Sequence, residues 1–369
     1  MRDGLTFGVE EEFLLVDPDS WRVTTRADDV LAKLPDELQP RVRHELLSTQ
    51  IEVSTPVCRK LDELRWWLVH LRLCVAEAAE RAGCRLMAAG TGLLDFPGNP
   101  PVAPGDRYAR MADEFRALVE VQGVCACHVH VGVGDRDLAA AVSNHLRPWL
   151  PVLHALSVNS PYADGRDTGY ASWRSVMVTR WPSSGPPPWL DSAEHHDRTV
   201  ADLIAAGAMI DKRMVYWYTR LSPRYPTIEM RTGDVCSTVD ETVLVAALTR
   251  ALVANAIAEV RAGHTAPSPD DVLLQAAHWR AARDGLEGMG VDVLGADVRP
   301  AWELVDQLVD RVEPALGAHG DREPVEDLVA LIRSHGSGAA RQRAVYAAHR
   351  DVAAVARFLV EQTIPVGQG

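Results

Sequence analysis

Short apolar segments interrupted by acidic or histidine residues recur along the chain, and in the first, residues 8–18 (GVEEEFLLVDP), apolar residues surround three consecutive glutamates. An apolar run of this kind, closed by Asp-Pro, predicts a β-strand. Side chains alternate across a strand, so Glu10 and Glu12 share one face and Glu11 points to the other. Two neighbouring carboxylates on an apolar strand repel each other and are costly to bury, and a divalent cation between them would remove that cost. The alternative is an edge strand with a solvated polar face.

A second strand is predicted within residues 44–56 (HELLSTQIEVSTP), where Gln50, Glu52 and Ser54 share a face. Glu45 lies an odd number of positions from Glu52. The two carboxylates can therefore meet at one site only if the chain turns or bulges between them.

His128 and His130 share one face of a third predicted strand, residues 125–133 (CACHVHVGV). A lone buried histidine is more often a core residue, but two at strand spacing beside acidic strands are candidate metal ligands. The neighbouring Cys125 and Cys127 raise the alternative of a zinc site. Structural zinc sites usually draw on a second matching cysteine pair, which this sequence lacks.

Glu229 and Arg231 share a face of a strand predicted within residues 225–236 (YPTIEMRTGDVC). This pair has two interpretations. It is either a cross-strand ion pair or a metal-binding carboxylate beside a guanidinium that grips a phosphate or carboxylate with its fork of donors.

The polar loop at residues 164–174 (DGRDTGYASWR) is punctuated by glycines, and loops of this kind carry function more often than packing. Arg174 is a candidate for holding a substrate carboxylate. Thr168 and Tyr170 are candidate substrate contacts, whereas Arg166 and Asp167 are also explained as a solvated pair.

Apolar residues recur at helical spacing over much of the remaining chain. Helices are predicted at residues 58–82, 106–120, 135–156 (divided by two prolines), 194–207 and over nearly all residues after 238; further strands are predicted at 84–90, 214–221 and 226–232. Strands interspersed with helices, without a regular βαβ repeat, favour an α+β fold. A break at residues 263–269 separates a catalytic core, residues 1–264, from a helical layer, residues 265–369, packed on it within one structural domain.

Composition and charge narrow the class of protein. The 369 residues include 51 acidic and 38 basic ones, and the net charge of −13 argues against nucleic acid as the main partner. The first residues show no signal-peptide hydrophobic stretch, and no apolar run approaches a membrane span. We therefore expect a cytoplasmic protein with no membrane partner, whose six cysteines are free thiols.

The candidate site residues together favour phosphoryl chemistry. Carboxylate oxygens suit Mg²⁺ or Mn²⁺ better than zinc. Carboxylates and arginines around magnesium imply ATP, because the metal screens phosphate oxygens and arginine stabilises the charge that develops during transfer. The sequence has no P-loop. Residues 336–343 (GSGAARQR) are either a helix start that contacts phosphate or a plain loop and helix cap.

Six segments, in this order, resemble the type 2 glutamate–cysteine ligase family, also called the carboxylate–amine ligase family, in its actinobacterial form. They are GVEEEFLLVDP (8–18), STQIEVSTPVC (48–58), CHVHVGV (127–133), RPWLPVLHALSVNSPYADGRDTGYASWRS (147–175), MVYWYTRLSPRYPTIEMRTGDVC (214–236) and GSGAARQR (336–343). The resemblance implies a glutamine-synthetase-like fold, in which an antiparallel sheet forms a metal-lined funnel with helices behind it. It also implies a reaction in which ATP phosphorylates the γ-carboxylate of glutamate and an amine, cysteine by family default, attacks the acyl phosphate to form an amide.

The same resemblance implies roles for the candidate residues. Two or three Mg²⁺ (or Mn²⁺) ions are bound by Glu10, Glu12, Glu45, Glu52, His128 or His130, and Glu229. Arg231 assists transfer of the γ-phosphate, and Arg174 holds the amino-acid carboxylate. The expected partners are small molecules, namely ATP, a carboxylate and an amine, and the resemblance suggests a homodimer.

The sequence departs from the family pattern at Tyr218, where an acidic residue is expected, and at residues 90–94 (GTGLL), where a Gly-Thr-Pro-like turn is expected. Tyr218 is therefore a candidate substrate contact, and the amine stays open. The alternatives are a ligase of the same mechanism with another carboxylate or amine in specialised metabolism, an ATP-independent metal hydrolase, and a catalytically silent binding protein.

Overall fold

The computed structural model describes residues 4–94, 96–120 and 123–364, and its centre is a seven-stranded sheet in which all neighbouring strands run antiparallel. The strands of the described residues are β1 (Phe7–Val16), β2 (Val42–His44), β3 (Gln50–Ser54), β4 (Arg85–Met87), β5 (Ala126–Gly132), β6 (Tyr162–Ala163), β7 (Arg166–Asp167), β8 (Ser184–Gly185), β9 (Tyr216–Trp217), β10 (Thr219–Leu221), β11 (Thr227–Asp234), β12 (Met289–Asp292) and β13 (Asp297–Pro300). The order across the sheet is β10–β11–β5–β1–β3–β2, and β4 pairs with the end of β1.

The two longest helices, α2 (Leu61–Arg81) and α9 (Val239–Arg261), pack behind this sheet. The other helices of the described residues are α1 (Ala27–Leu31), α3 (Asp106–Phe115), α4 (Ala117–Glu120), α5 (Arg136–Leu146), α6 (Leu150–Leu156), α7 (Trp173–Val178), α8 (Ala193–Ala205), α10 (Asp271–Asp284), α11 (Ala301–His319), α12 (Arg322–His335), α13 (Gly338–His349) and α14 (Val352–Thr363). The predicted α+β class, an antiparallel sheet with helices packed behind it, is confirmed.

A buried ion pair ties the sheet to the two long helices behind it. Glu11 of β1 points away from Glu10 and Glu12, as the strand alternation predicts, and accepts a hydrogen bond of 3.0 Å from Nε of Arg72 on α2. The Thr242 hydroxyl of α9 donates to the same carboxylate at 2.7 Å. The Arg72 and Glu11 side chains are both fully buried. Glu11 is thus a structural residue behind the sheet, and its two neighbours are left for the opposite face.

α9 is the long central helix of the second half of the chain, and α2, α5, α11 and α12 pack against it. It has 23 residues and a mean hydropathy of 1.7, so by length and composition it is apolar enough to span a membrane. The expectation that no segment approaches a span is therefore wrong. Because 72% of its apolar window is buried inside the fold, α9 has the surroundings of a core helix. The division into residues 1–264 and 265–369 stays a prediction.

Two predicted elements differ in the structure. The helix at residues 106–120 is broken at Arg116, which has φ 52°, so it forms α3 and α4. The nearly all-helical second half contains the hairpin β12–β13. Between these strands, residues 293–296 include Ala296 with φ 54°, a local turn conformation that helical periodicity does not reveal. At residues 95–105, where prolines and glycines in the sequence predict a loop, the first residue lies outside the described residues.

Candidate active site

Direct pairing between neighbouring strands assembles the polar residues on the open face of the sheet. The opposed pairs are Glu12 with Glu52, Glu10 with His128, and His130 with Glu229. Directly opposed side chains of an antiparallel sheet lie about 4.5–5.5 Å apart at Cβ, which is close enough for their polar ends to share a ligand. The antiparallel register therefore brings together candidates that are more than a hundred residues apart in sequence.

The acidic and histidine side chains form two groups, in each of which one ligand atom per residue lies within 4.8 Å of the others. We name Glu10, His128 and Glu229 the phosphate-side group, after the predicted role of Arg231, which pairs with Glu229, and Glu12, Glu45 and Glu52 the carboxylate-side group, after the predicted role of Arg174. Glu45 reaches Glu52 because β2 ends at His44 and the chain turns before β3, so the turn required by their odd spacing is present. Among the described residues, neither group includes a cysteine, which gives the zinc alternative no support.

Two buried imidazole nitrogens face the carboxylate of Glu10. Nδ1 of His128 lies 3.7 Å and Nε2 of His130 lies 3.6 Å from Oε2 of Glu10, and neither nitrogen has a hydrogen-bond partner among the described residues. In an octahedral site with bonds of about 2.1 Å, adjacent ligand atoms lie about 3 Å apart and opposite ones about 4 Å apart. The separations fall within this range, so the donors fit a shared divalent ion.

The pKa values of the two histidines distinguish them as ligands. Burial and the nearby charge of Arg231 lower the pKa of His128 to about 3, so this imidazole is neutral and offers a lone pair. Burial also lowers the pKa of His130, but the carboxylates of Glu229 and Glu10 outweigh it and raise the pKa above its usual value. Nδ1 of His130 is already 3.0 Å from the Thr227 hydroxyl. These observations favour His128 as the metal ligand.

Protonation also differs between the two groups of carboxylates. Burial and the neighbouring carboxylate of Glu52 raise the pKa of Glu12 to about 7, and burial with Glu12 raises that of Glu45 to about 7. In the phosphate-side group, burial opposes ionisation of Glu229, but Arg220 and Arg231 lower its pKa far below the usual value. The carboxylate-side group therefore crowds acids whose repulsion a divalent cation would relieve.

Two arginines that sequence reasoning missed lie beside these groups. Arg43 of β2 donates from Nη2 to Glu10 at 2.9 Å and from Nε to Glu52 at 2.6 Å. Arg220 of β10 binds both oxygens of Glu229, at 2.8 and 2.9 Å. Each lies directly opposite its glutamate in the neighbouring strand. Arg43 lies before the predicted strand at residues 44–56, and the predicted strand at residues 214–221 contains Arg220 but gives no partner for it. Only the strand register pairs these arginines with their glutamates.

A cavity of ≈ 80 Å³ lies over the carboxylate-side group, and its wall includes Arg174, Arg231 and Tyr218. Nη1 of Arg174 donates to the Thr232 carbonyl at 3.2 Å, whereas its buried Nε has no hydrogen-bond partner among the described residues. Arg231 is tied to Glu229. The cavity thus has one guanidinium anchored beside the phosphate-side group and another with a donor to spare.

Asp234 holds the segment that carries Arg174 in place. Its carboxylate accepts hydrogen bonds from the hydroxyls of Ser160 and Ser172, both at 2.7 Å, and from the backbone N–H of Asn159 at 2.8 Å. Nη1 of Arg174 lies 3.8 Å from the same carboxylate. This network joins β11 to the start of α7 and fixes the position of Arg174.

Thr168 and Tyr170 do not line this cavity, and their role as substrate contacts stays a prediction. The preceding residues form the short hairpin β6–β7, and Thr168 donates to the Pro161 carbonyl at 2.9 Å. Tyr170 lines a neighbouring cavity, where its hydroxyl accepts a hydrogen bond of 3.2 Å from Nε1 of Trp279.

The segment at residues 336–343 forms a helix cap and ion pairs. The Ser337 hydroxyl accepts a hydrogen bond from the Ala340 N–H at the start of α13. Arg341 pairs with Glu241, and Arg343 binds both oxygens of Asp167 at 2.8 Å. Because both arginines already have carboxylate partners, the structure supports the plain cap and not the phosphate contact.

An antiparallel sheet that gathers acidic ligands, histidines and arginines on its open face defines a ligase of the predicted glutamine-synthetase-like α+β class. The sequence profile of glutamate–cysteine ligase family 2 matches residues 6–359, and the chain belongs to this family. A putative glutamate–cysteine ligase 2 from Salinispora tropica is 51% identical over 366 residues, which cover 99% of this chain and 96% of that protein. The predicted family and the class of ATP-dependent ligase are confirmed.

Solved structures of other proteins support the fold at low sequence identity. The glutamate–cysteine ligase of Francisella tularensis in complex with AMP aligns with a TM-score of 0.73 and 11% identity, over 99% of this chain and 90% of that chain. The bifunctional glutathione synthetase of Pasteurella multocida aligns with a TM-score of 0.71 and 15% identity over 97% of this chain. This chain spans 52%, about half, of the Pasteurella chain.

Proposed function

We propose that this chain uses ATP to activate the γ-carboxylate of glutamate, or a similar carboxylate, as an acyl phosphate and then joins it to an amine. The observation that carries the proposal is the placement of two metal-ligand groups and two arginines around one cavity. Membership of glutamate–cysteine ligase family 2 supports the same activity. Cysteine is the amine that the names of the relatives suggest.

The arginines have separate tasks in this proposal. Arg231 stabilises the charge that develops while the γ-phosphate moves, because Glu229 anchors its guanidinium next to the phosphate-side group. Arg174 holds the amino-acid carboxylate of the substrate with its spare Nε donor, so the γ-carboxylate stays free to react. Mg²⁺ or Mn²⁺ bound by the two groups would screen the phosphate oxygens.

The bonds change in two steps. An oxygen of the substrate carboxylate bonds to the γ-phosphorus of ATP, and ADP leaves. The amine nitrogen then attacks the acyl carbon, phosphate leaves, and the proton from the amine goes to solvent. We also propose a cytoplasmic location, which the six free cysteines support. The homodimer stays a prediction.

The test is ADP formation by the purified protein with ATP, Mg²⁺ and glutamate, using hydroxylamine, cysteine and a panel of other amines as acceptors. Hydroxylamine is small and traps an acyl phosphate as a hydroxamate, so it reports activation of the carboxylate by itself. Glutamate-dependent ADP and hydroxamate are the expected products, and the mass of the amide identifies the natural acceptor. Nucleotide-independent turnover would instead favour the hydrolase alternative.

A further inference from the structure

A second cavity, of ≈ 650 Å³, adjoins the cavity over the carboxylate-side group. Ser175 of α7 and Tyr218, between β9 and β10, line both cavities. A ligand in the second cavity therefore lies next to the place where the proposed acyl phosphate forms. The volume of the second cavity is within the range of about 300–1,000 Å³ that is typical of small-molecule sites.

The walls of the second cavity are largely aromatic and apolar. Tyr170, Trp217, Tyr218 and Trp279 contribute rings, and residues 186–188 add three prolines. Trp279 of α10 is 46% exposed, and its hydrogen bond to Tyr170 joins α10 to the loop before α7. Aromatic faces attract both apolar groups and ammonium cations.

Charge excludes a phosphate-rich ligand from the second cavity. Among its described lining residues, Asp271 alone carries a charge, and its carboxylate is paired with Arg147. Nε of Arg147 also donates to the Pro187 carbonyl at 3.0 Å, so this guanidinium already binds two residues of the cavity wall. A nucleotide triphosphate would find no free cation here, whereas a neutral or cationic ligand meets no repulsion.

We propose that the second cavity binds the acceptor amine, and that this amine carries an apolar or aromatic group larger than the side chain of cysteine. The inference rests on the proposed function, in which an amine attacks an acyl phosphate held over the carboxylate-side group. The amine nitrogen reaches that carbon past Tyr218 and Ser175, while the apolar group stays among the rings of Tyr170 and Trp279. The predicted substrate role of Tyr170 then belongs to the amine.

The experiment compares 2-phenylethylamine, cysteine and hydroxylamine as acceptors with ATP, Mg²⁺ and glutamate. The kcat/KM for 2-phenylethylamine is expected to exceed that for cysteine at least tenfold. In Trp279→Ala, the ratio of kcat/KM for 2-phenylethylamine to that for hydroxylamine should fall tenfold or more, and Trp279→Phe should restore most of it. Trp66→Ala is the matched control, because Trp66 is an exposed helical tryptophan that lines neither cavity.

Three results would overturn the inference while leaving the proposed function standing: a higher kcat/KM for cysteine, equal acceptor ratios in Trp279→Ala and Trp66→Ala, or competition between 2-phenylethylamine and ATP. Absence of ADP with glutamate and hydroxylamine would overturn the proposed function itself. Calorimetric titration with 2-phenylethylamine would then test binding to the second cavity independently of turnover. Saturable binding that Trp279→Ala abolishes supports the ligand class, and no binding to the original protein overturns it.

Discussion

Three consecutive glutamates of β1 experience three different environments, because side chains alternate across a strand and each meets a different partner. Burial opposes the charge of Glu10, but His128 and His130 outweigh it and lower its pKa well below the usual value. Glu11 forms an ion pair with Arg72 behind the sheet. Glu12 faces Glu52, and its pKa is raised to about 7. Identical side chains thus serve packing and site chemistry within one strand.

Glu52→Gln should abolish ligation and leave the fold intact. The amide keeps the volume of the side chain but removes the negative charge of a candidate metal ligand. Mutation of residues that only hydrogen-bond to metal ligands already lowers metal affinity or activity by about 10- to 100-fold. We expect kcat/KM for ADP formation to fall more than about 100-fold and the Mg²⁺-induced rise in Tm to disappear. Glu63→Gln, on the exposed side of α2, should change neither. Retained amide formation in Glu52→Gln would count against the site.

Arg231→Lys and Arg174→Lys should separate phosphoryl transfer from carboxylate binding. Lysine keeps the charge but lacks the planar fork of donors. Arg231→Lys is expected to lower kcat by roughly 1,000-fold, the lower end for a transition-state arginine. Arg174→Lys is expected to raise KM for the carboxylate substrate by about 10- to 100-fold, the worth of one charged hydrogen bond. Steady-state kinetics with glutamate varied measures both, and the opposite split would exchange the two roles.

At the scale of elements, sequence periodicity located the strands and most helices, because one buried face imposes a period that can be read locally. β1, β3, β5 and β11 carry the predicted metal ligands Glu10, Glu12, Glu52, His128, His130 and Glu229 on one face. β2 and β10, with three residues each, carry Arg43 and Arg220, which the sequence did not indicate as site residues. The register between strands is a long-range property, so the partners of Glu52 and Glu229 emerged only from the structure.

The ion pair between β1 and α2 should be the most sensitive polar contact behind the sheet. Arg72→Met leaves Glu11 buried without its ion partner, and loss of one member of a buried pair costs about 3–5 kcal/mol. Denaturant unfolding should show this loss, and the double variant Glu11→Leu/Arg72→Met should recover most of it. The control is Arg65→Met, because Arg65 and Asp240 form a pair whose side chains are 43% and 37% exposed. That change should cost less than about 1 kcal/mol, and equal losses would contradict the prediction.

For the molecule as a whole, a buried histidine pair between α6 and α10 should make the fold sensitive to acid. None of the ring nitrogens of His154 and His278 has a hydrogen-bond partner among the described residues. Burial and Arg174 lower the pKa of His154 to about 3, and burial with His154 lowers that of His278 well below its usual value. Both rings are neutral in the fold, whereas the unfolded chain takes up protons near pH 6.5.

This difference in protonation sets the direction in which stability changes with pH. The unfolded chain binds more protons between about pH 6.5 and the lowered pKa values, so stability is full above about pH 6.5 and is lost as the pH falls toward 3. His154→Leu should therefore flatten the decline in unfolding free energy on the acid side, measured by denaturant titration from pH 8 to pH 4. His264 is an exposed loop residue, so His264→Leu is the control and should keep the original slope. An unchanged slope in His154→Leu would show that another group governs acid sensitivity.

The sequence by itself determined the family, the α+β class and the candidate ligands Glu10, Glu12, Glu45, Glu52, His128 or His130, and Glu229, because each lies in a local pattern whose period or motif can be read without partners. Only the tertiary structure decided how these residues divide into two groups and which imidazole is neutral. It also placed Tyr170 in the aromatic cavity beside Tyr218. Register, burial and loop direction depend on contacts between distant segments, and the electrostatic and packing consequences exist only once those segments meet.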